Sequence, residues 1–201
     1  MVEVVIGGTK SARAGYSFEQ VAIAPQRRTR DASEVSTAWS IDAYKFETPF
    51  IAAPMDSVVS PESAVSISRN GALAVLNLEG LWGRYEDPAI YLREIANVDA
   101  EQATALLQRL YAAKPVDVDL IKNRIAQLKE SGITVSVAVS PQRTTELAPI
   151  AAASGAEILV VRGTTVSAEH VTDSGEPLNL KSFIHDLDIP VIVGGCATAQ
   201  A

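Results

Sequence analysis

Residues 119–161 decide the fold class, because helix and strand patterns alternate through them: DLIKNRIAQLKESGITVSVAVSPQRTTELAPIAAASGAEILVV. The apolar residues of the first part recur at helical spacing, which predicts an amphipathic helix over Asp119–Ser131 that ends at Gly132. The short apolar run Thr134–Val139 predicts a buried strand. A second helix over Thr144–Ser154 and a second strand over Ile158–Val161 follow. This alternation predicts βαβ units, which bring parallel strands into one sheet.

The same alternation extends in both directions from this stretch. Further strands are predicted at Phe50–Ala53, Leu73–Asn77 and Pro190–Val193, and further helices at Ser60–Asn70, Ala100–Ala113 and Leu180–Leu187. The absence of a G-x-G-x-x-G turn after any strand disfavours a dinucleotide-binding doubly wound fold. A (β/α)8 barrel needs eight strands and about 250 residues. With five predicted strands, we expect either the first part of a barrel, cut short, or a complete five-stranded α/β domain.

The composition excludes several classes of protein. The chain has 201 residues, with 17 Lys and Arg against 24 Asp and Glu, and the resulting net charge of −7 argues against nucleic-acid binding. The apolar content of 47% indicates a substantial core. No apolar run has the length of a membrane span and no signal peptide is visible, so a cytoplasmic protein is expected. The single cysteine, Cys196, fits a reducing compartment, and no residues have metal-ligand spacing.

Three loops that follow predicted strands carry the residues best suited to chemistry. In Ala53–Ser57, a methionine can lie against an aromatic ring and an aspartate can accept hydrogen bonds; the alternative is a turn with a core methionine and a helix-capping aspartate. Arg162–Thr165 suits a ribose or a phosphate, or else forms a solvated surface loop. Gly194–Cys196 allows the backbone to approach a ligand closely. Three such loops at one edge of a sheet indicate a binding site more specifically than any one of them does.

The cysteine and the two histidines are weaker candidates. Cys196 has no base near it in the sequence, so we expect a structural thiol rather than a nucleophile. His170 and His185 lie on different segments and are predicted to be exposed polar residues on helices.

Taken together, five stretches resemble the IMP dehydrogenase/GMP reductase family. The most specific is Pro49–Val58, which is similar to the family's P-x-x-S-[AS]-x-M-D-T-V motif. The others are Tyr16–Pro25, Leu78–Pro88, Gly163–His170 and Val191–Thr198, and the resemblance covers essentially the whole chain. The stretches Leu78–Pro88, Gly163–His170 and Val191–Thr198 resemble a compact branch of the family. The 56 residues between the second and third strands are in helical pattern, so the CBS domain pair of longer members is expected to be missing.

The resemblance implies a (β/α)8 barrel of which this chain forms about the first five βα units. Residues 1–48 would precede the first barrel strand and residues 49–201 would form the units. The implied activity oxidises IMP to XMP with NAD, and the alternatives are a GMP reductase-like activity or a non-catalytic half-barrel. A flavin-dependent barrel enzyme is a further alternative. The implied partner is a purine nucleoside monophosphate, and intact members of the family form tetramers.

The resemblance also assigns residues to the site. Met55 matches the methionine that stacks on the purine, and Ala53 stands where some members have a substrate-contacting serine. Arg162 stands where dehydrogenases carry the aspartate that holds the cofactor ribose, and Cys196 where they carry an asparagine, which argues against ordinary NAD recognition. The implied substrate-binding residues are Ala53, Met55 and Asp56, and the implied cofactor-binding residues are Arg162, Gly163, Thr164 and Cys196. The family's catalytic cysteine loop is expected after a sixth strand, beyond Ala201, so no catalytic residue is assigned here.

Overall fold

An antiparallel hairpin opens the chain in the computed structural model, which describes residues 3–8, 10–24, 27–164, 166–171 and 177–196. Strand β1 (Glu3–Ile6) pairs with β2 (Lys10–Arg13), and two short 3-10 turns follow at Phe18–Gln20 and Ala32–Glu34. These elements belong to a unit of their own, Met1–Ser36, and residues Thr37–Ala201 form a second unit. Residues 37–48, which the sequence analysis placed before the first barrel strand, belong to the second unit.

The second unit begins with another hairpin and then builds a parallel sheet. In the hairpin, β3 (Trp39–Ile41) and β4 (Tyr44–Phe46) are joined at Asp42, whose φ is 49°. The later strands are β5 (Ile51–Ala52), β6 (Leu73–Asn77), β7 (Ser136–Val139), β8 (Ile158–Arg162), the short antiparallel pair β9 (Glu169–His170) and β10 (Leu178–Asn179), and β11 (Val191–Gly194). His170 therefore lies in a strand and not in the predicted helix, because the chain reverses there and pairs His170 with Leu178.

The sheet order identifies the type of α/β fold. Strands β5, β6, β7, β8 and β11 are parallel and lie side by side in that order, so each pairs with the sheet strand that precedes it. A doubly wound sheet reverses its order at a switch point, whereas consecutive order is that of a (β/α)8 barrel. The prediction of the first five βα units of a barrel is confirmed.

In the part of the chain that the structure describes, six helices connect these strands, and all but α2 follow the predicted signals. They are α1 (Pro61–Arg69), α2 (Ala89–Ala96), α3 (Ala100–Ala113), α4 (Val118–Glu130), α5 (Thr144–Ser154) and α6 (Leu180–Asp186). Helix α1 starts at a reciprocal capping box between Ser60 and Ser63. Helices α4 and α5 end near Gly132 and Gly155, whose φ values are 70° and 104°. Residues that carry a side chain rarely adopt such positive φ values. Helix α2 has no clear cap or stop in the sequence and was not predicted as a separate helix.

Alternate residues along each strand face two different clusters of buried side chains. One cluster lies against the helices and includes Ala74, Leu76, Val137, Leu159 and Val161, together with the buried stripe of α4. The other lies on the opposite face of the sheet and contains Leu73, Val75, Ala138, Ile158 and Val160, with the hairpin residues Trp39, Ile41, Tyr44 and Phe46 packed against it. The two-residue period therefore separates an outer, helix-facing side from an inner side, as in a barrel wall.

Candidate functional site

Loops at the carboxyl ends of the parallel strands form the candidate site. Four of these loops belong to neighbouring strands, and their described residues are 53–59, 78–88, 140–143, 163–164 and 166–168. The alternation that places Val75 and Val160 on the inner face also places Asn77 and Arg162 there, two residues farther along their strands. Parallel strands end at the same edge, so these loops and inner residues face one region.

A cavity of about 240 Å3 brings three of the predicted site residues together. Met55, Asp56 and Arg162 line it, and the side chain of Met55 is 48% exposed. Asn77 contributes from the end of β6, and the remaining wall is formed by Pro54, Ser57, Leu81, Leu92, Ile95, Leu107 and Tyr111. Helices α2 and α3 supply most of the apolar wall, and of these two only α3 was predicted from the sequence.

Asp56 ties together three parts of the chain at this cavity. Its Oδ2 accepts hydrogen bonds from the Leu81 N–H at 2.8 Å and from the Tyr111 hydroxyl at 3.0 Å, and its backbone oxygen accepts one from Trp82 Nε1 at 3.3 Å. Burial raises the pKa of Asp56, and the hydrogen bonds from Leu81 and Tyr111 oppose that increase. The carboxylate therefore holds the Met55 loop in place, and Oδ1 is buried with no hydrogen-bond partner among the described residues.

Two glycines allow the Leu78–Pro88 segment to pack this closely. A Cβ on Gly80 would lie 2.0 Å from Asp56 Oδ1, and a Cβ on Gly83 would lie 2.0 Å from the backbone oxygen of Leu78. Only residues without a side chain fit both positions. The glycines are part of the stretch that carried the family resemblance, but their role appears only in the structure.

Arg84 anchors the same segment to the end of α3. Its Nε donates to the backbone oxygen of Glu79 at 3.0 Å, and its Nη1 donates to those of Tyr111 and Lys114 at 3.1 and 2.6 Å. The guanidinium also lies 4.6 Å from the centre of the Tyr111 ring. Tyr111 and Arg84 are functional candidates that sequence reasoning missed, since their contacts depend on how α3 packs.

A second cavity, of about 640 Å3, shares Arg162 with the first. It is lined by Ser140, Pro141, Gln142, Arg162, Gly163, Thr164 and His170. Here the loop after β8 is fixed by backbone hydrogen bonds from Gly163 N–H to Gly194 oxygen and from Gly195 N–H to Gly163 oxygen, both 2.9 Å. The predicted residues Gly163 and Thr164 therefore lie together with Arg162, whereas Thr165 and the segment 197–201 lie outside the described residues.

Ala53 and Cys196 line neither of these two cavities. Ala53 is exposed at the end of β5, and Cys196 is exposed beyond the end of β11, with Sγ 3.9 Å from the backbone oxygen of Val193. The expectation that this thiol is structural remains a prediction. Their proposed roles in substrate and cofactor binding remain predictions.

A sheet in consecutive parallel order with polar loops at the carboxyl ends of its strands defines the (β/α)8-barrel class. The chain belongs to the IMP dehydrogenase/GMP reductase family, because the profile of that domain matches residues 15–201. Uncharacterized oxidoreductases of Mycobacterium bovis and Mycolicibacterium smegmatis are 50% and 48% identical to it over 200 residues, which is 97% of this chain and 52% of each relative. The chain thus spans about half the length of these relatives.

A solved structure supports the same assignment. The crystal structure of an IMP dehydrogenase/GMP reductase-like protein from Corynebacterium glutamicum superposes with a TM-score of 0.86 at 44% identity, over 96% of this chain and 52% of that chain. The family resemblance and the partial barrel inferred from the sequence are both confirmed.

The donor groups at the site do not fit a ribose diol in the way that the family implies. An aspartate accepts hydrogen bonds from both ribose hydroxyls, but a guanidinium has only donors. Arg162 therefore cannot replace that carboxylate, and Cys196 offers only a weak acceptor. Within the described ranges, no cluster of three or more His, Cys, Asp or Glu side chains is placed to hold a metal ion. None of the described helices is both long and apolar enough to cross a membrane.

Proposed function

We propose that this chain contributes the purine-binding part of an oxidoreductase that acts on a purine nucleoside monophosphate, with IMP oxidation to XMP as the reaction. The observation that carries the proposal is the convergence of Met55, Asp56 and Arg162 on one cavity at the carboxyl ends of the strands. Family membership and the oxidoreductase names of the relatives support it. A homo-oligomer located in the cytoplasm is part of the same proposal.

In this proposal, Met55 contacts the face of the purine ring and Asp56 acts as a positioning residue. Met55 is about half exposed and can contact a planar ligand, whereas Oδ2 of Asp56 already accepts hydrogen bonds from Leu81 and Tyr111. Asp56 therefore keeps the loop that carries Met55 in one conformation. A sulfur–aromatic contact contributes about 0.3–1.5 kcal/mol, so this part of the site alone binds a purine weakly.

GMP reductase-like chemistry is the second candidate. Arg162 and Cys196 differ from the residues that dehydrogenases of the family carry, and this departure is the observation that favours it. NAD is the cofactor that the dehydrogenase resemblance implies, but the donor-only side chain of Arg162 does not support ribose recognition of that type. We therefore assign no step to the cofactor.

The proposal is tested by measuring IMP and GMP binding calorimetrically to the wild type, Met55→Ala and a matched control, Ile90→Ala. Ile90 is an exposed apolar residue of α2, 51% exposed against 48% for Met55, and it does not line the 240 Å3 cavity. We expect Met55→Ala to weaken purine nucleotide binding about two- to tenfold and Ile90→Ala to leave it unchanged. Equal weakening in both variants, or no purine nucleotide binding up to about 10 mM, would refute the proposal.

A further inference from the structure

The second cavity, which we name the Arg162 groove, has the lining of an anion site. It contains one guanidinium, from Arg162, and one imidazole, from His170. Gln142 and Thr164 add an amide and a hydroxyl that can donate hydrogen bonds. Within the described part of the chain, no carboxylate lines this groove, although the chain as a whole carries a net charge of −7.

The guanidinium of Arg162 differs from neighbouring arginines in how its donors are used. Arg84 and Arg124 donate to backbone oxygens, and Arg143 forms an ion pair with Glu146 at 2.7 Å. Arg162 is exposed, and its guanidinium makes no hydrogen bond or ion pair with the residues that the structure describes. Its donors are thus available to a ligand.

The nearby acidic groups leave that cation available. Asp56 acts on Arg162 electrostatically across the smaller cavity, but its Oδ2 accepts from Leu81 and Tyr111. Glu79 accepts from the backbone N–H and the hydroxyl of Ser140, which positions its charge against the β7 loop. Neither carboxylate lies within ion-pairing distance of Arg162.

We infer that the Arg162 groove binds a phosphate monoester, with two oxygens held by the guanidinium and a third within reach of His170 or Thr164. Arginine presents a planar fork of donors that matches phosphate oxygens, and an accepting carboxylate at this position would repel them. The inference deepens the proposed function and rests on it only for the carrier of the phosphate. That carrier is either the purine monophosphate or a dinucleotide that bears an additional phosphate.

The test is calorimetric titration of the full chain with inorganic phosphate, for the wild type, Arg162→Gln and Arg143→Gln. The two substitutions remove the same charge from neighbouring loops, but only Arg162 lines the groove. We expect Arg162→Gln to weaken phosphate binding at least about tenfold and Arg143→Gln to have little effect. Arg162→Lys keeps the charge and should bind with intermediate affinity, which shows that the loss in Arg162→Gln is not misfolding.

Paired ligands then identify the carrier. IMP differs from inosine by one phosphate group, and NADPH differs from NADH by one phosphate group. In one of these two pairs, the wild type should bind the member with the additional phosphate more tightly, and Arg162→Gln should lose that preference. The inference is overturned if the wild type does not bind phosphate, or if Arg143→Gln weakens binding as much as Arg162→Gln. Phosphate binding that depends on Arg162, together with no effect of Met55→Ala on IMP, would overturn the proposed function while supporting the groove.

Discussion

Replacement of Tyr111 by Phe removes one hydroxyl from the centre of the candidate site and leaves the ring in place. The hydroxyl donates to Asp56 Oδ2 at 3.0 Å, while the ring stays in contact with the Arg84 guanidinium. A hydrogen bond to a charged group contributes about 1.5–3 kcal/mol to the free energy of unfolding. Because Tyr111 is only partly buried, we expect a loss near the lower value, about 1.5 kcal/mol. For a protein of this size, that corresponds to a decrease in Tm of about 3–6 °C.

Urea unfolding followed by circular dichroism measures this loss, and Tyr91→Phe is the matched control. Tyr91 lies on α2, and its ring packs against Tyr85 at 4.2 Å. Its hydroxyl makes no hydrogen bond with the described residues, so removing it should change the free energy of unfolding by less than about 0.5 kcal/mol. Equal losses for the two variants would refute the argument that the Asp56 contact stabilises the site.

The loss should also depend on pH. Burial raises the folded-state pKa of Asp56 above its unfolded value, so the associated stability is present at low pH and decreases as pH rises through the folded pKa. Tyr111 opposes this effect by favouring the carboxylate, so Tyr111→Phe raises the pKa of Asp56 further. The decrease in the free energy of unfolding caused by Tyr111→Phe should therefore be larger above the pKa of Asp56 than below it. A cost that increases as pH falls would contradict this sign.

Three other predictions concern the same chain. Gly80→Ala should lower the free energy of unfolding by about 1–3 kcal/mol, because the added methyl group would displace the Asp56 carboxylate. In the same urea experiment, the control Gly15→Ala should be nearly neutral, because its methyl group meets nothing within 4 Å. A protein of residues 1–201 alone should produce no NADH from IMP and consume no NADPH with GMP, because the family resemblance assigns no catalytic cysteine loop to these residues. Turnover measured by reduced-nicotinamide absorbance would disprove this. The same protein should self-associate in sedimentation experiments, because β5 and β11 are the edges of the described sheet and Ile51 is 47% exposed. A monodisperse monomer whose Ile51 and Ile192 amides are protected from hydrogen exchange would contradict this prediction.

Local sequence signals were sufficient for most of the secondary structure. The predicted bounds of α3, α5 and β6 coincide with those observed, because caps, glycine stops and apolar periodicity act over a few residues. The hairpin of β3 and β4 was not predicted. Its turn at Asp42 lacks the Asn-Gly or Asp-Gly signal, although alternating apolar residues on both sides of the turn would have indicated it.

The site was predictable only as far as strand ends could be placed. Met55 and Arg162 were expected at one edge of the sheet because parallel strands end together, and the structure places both at one cavity. Tyr111 is 55 residues from its partner Asp56, and that contact depends on the packing of α3 against the strand-end loops. No local pattern encodes such packing, so Tyr111 and Arg84 required the three-dimensional structure.

The consecutive order of the sheet has a consequence for biosynthesis. In the described parallel sheet, β6, β7, β8 and β11 each pair with a sheet strand that the ribosome has already produced. The nascent chain can therefore extend the sheet at one edge, unit by unit, while later residues are still being translated. Each pairing nevertheless joins residues that are far apart in sequence, as Val75 and Ser136 are, so a loop must close before each new strand is added. A circular permutation that starts the chain between β6 and β7 would end this agreement between the order of synthesis and the order of pairing.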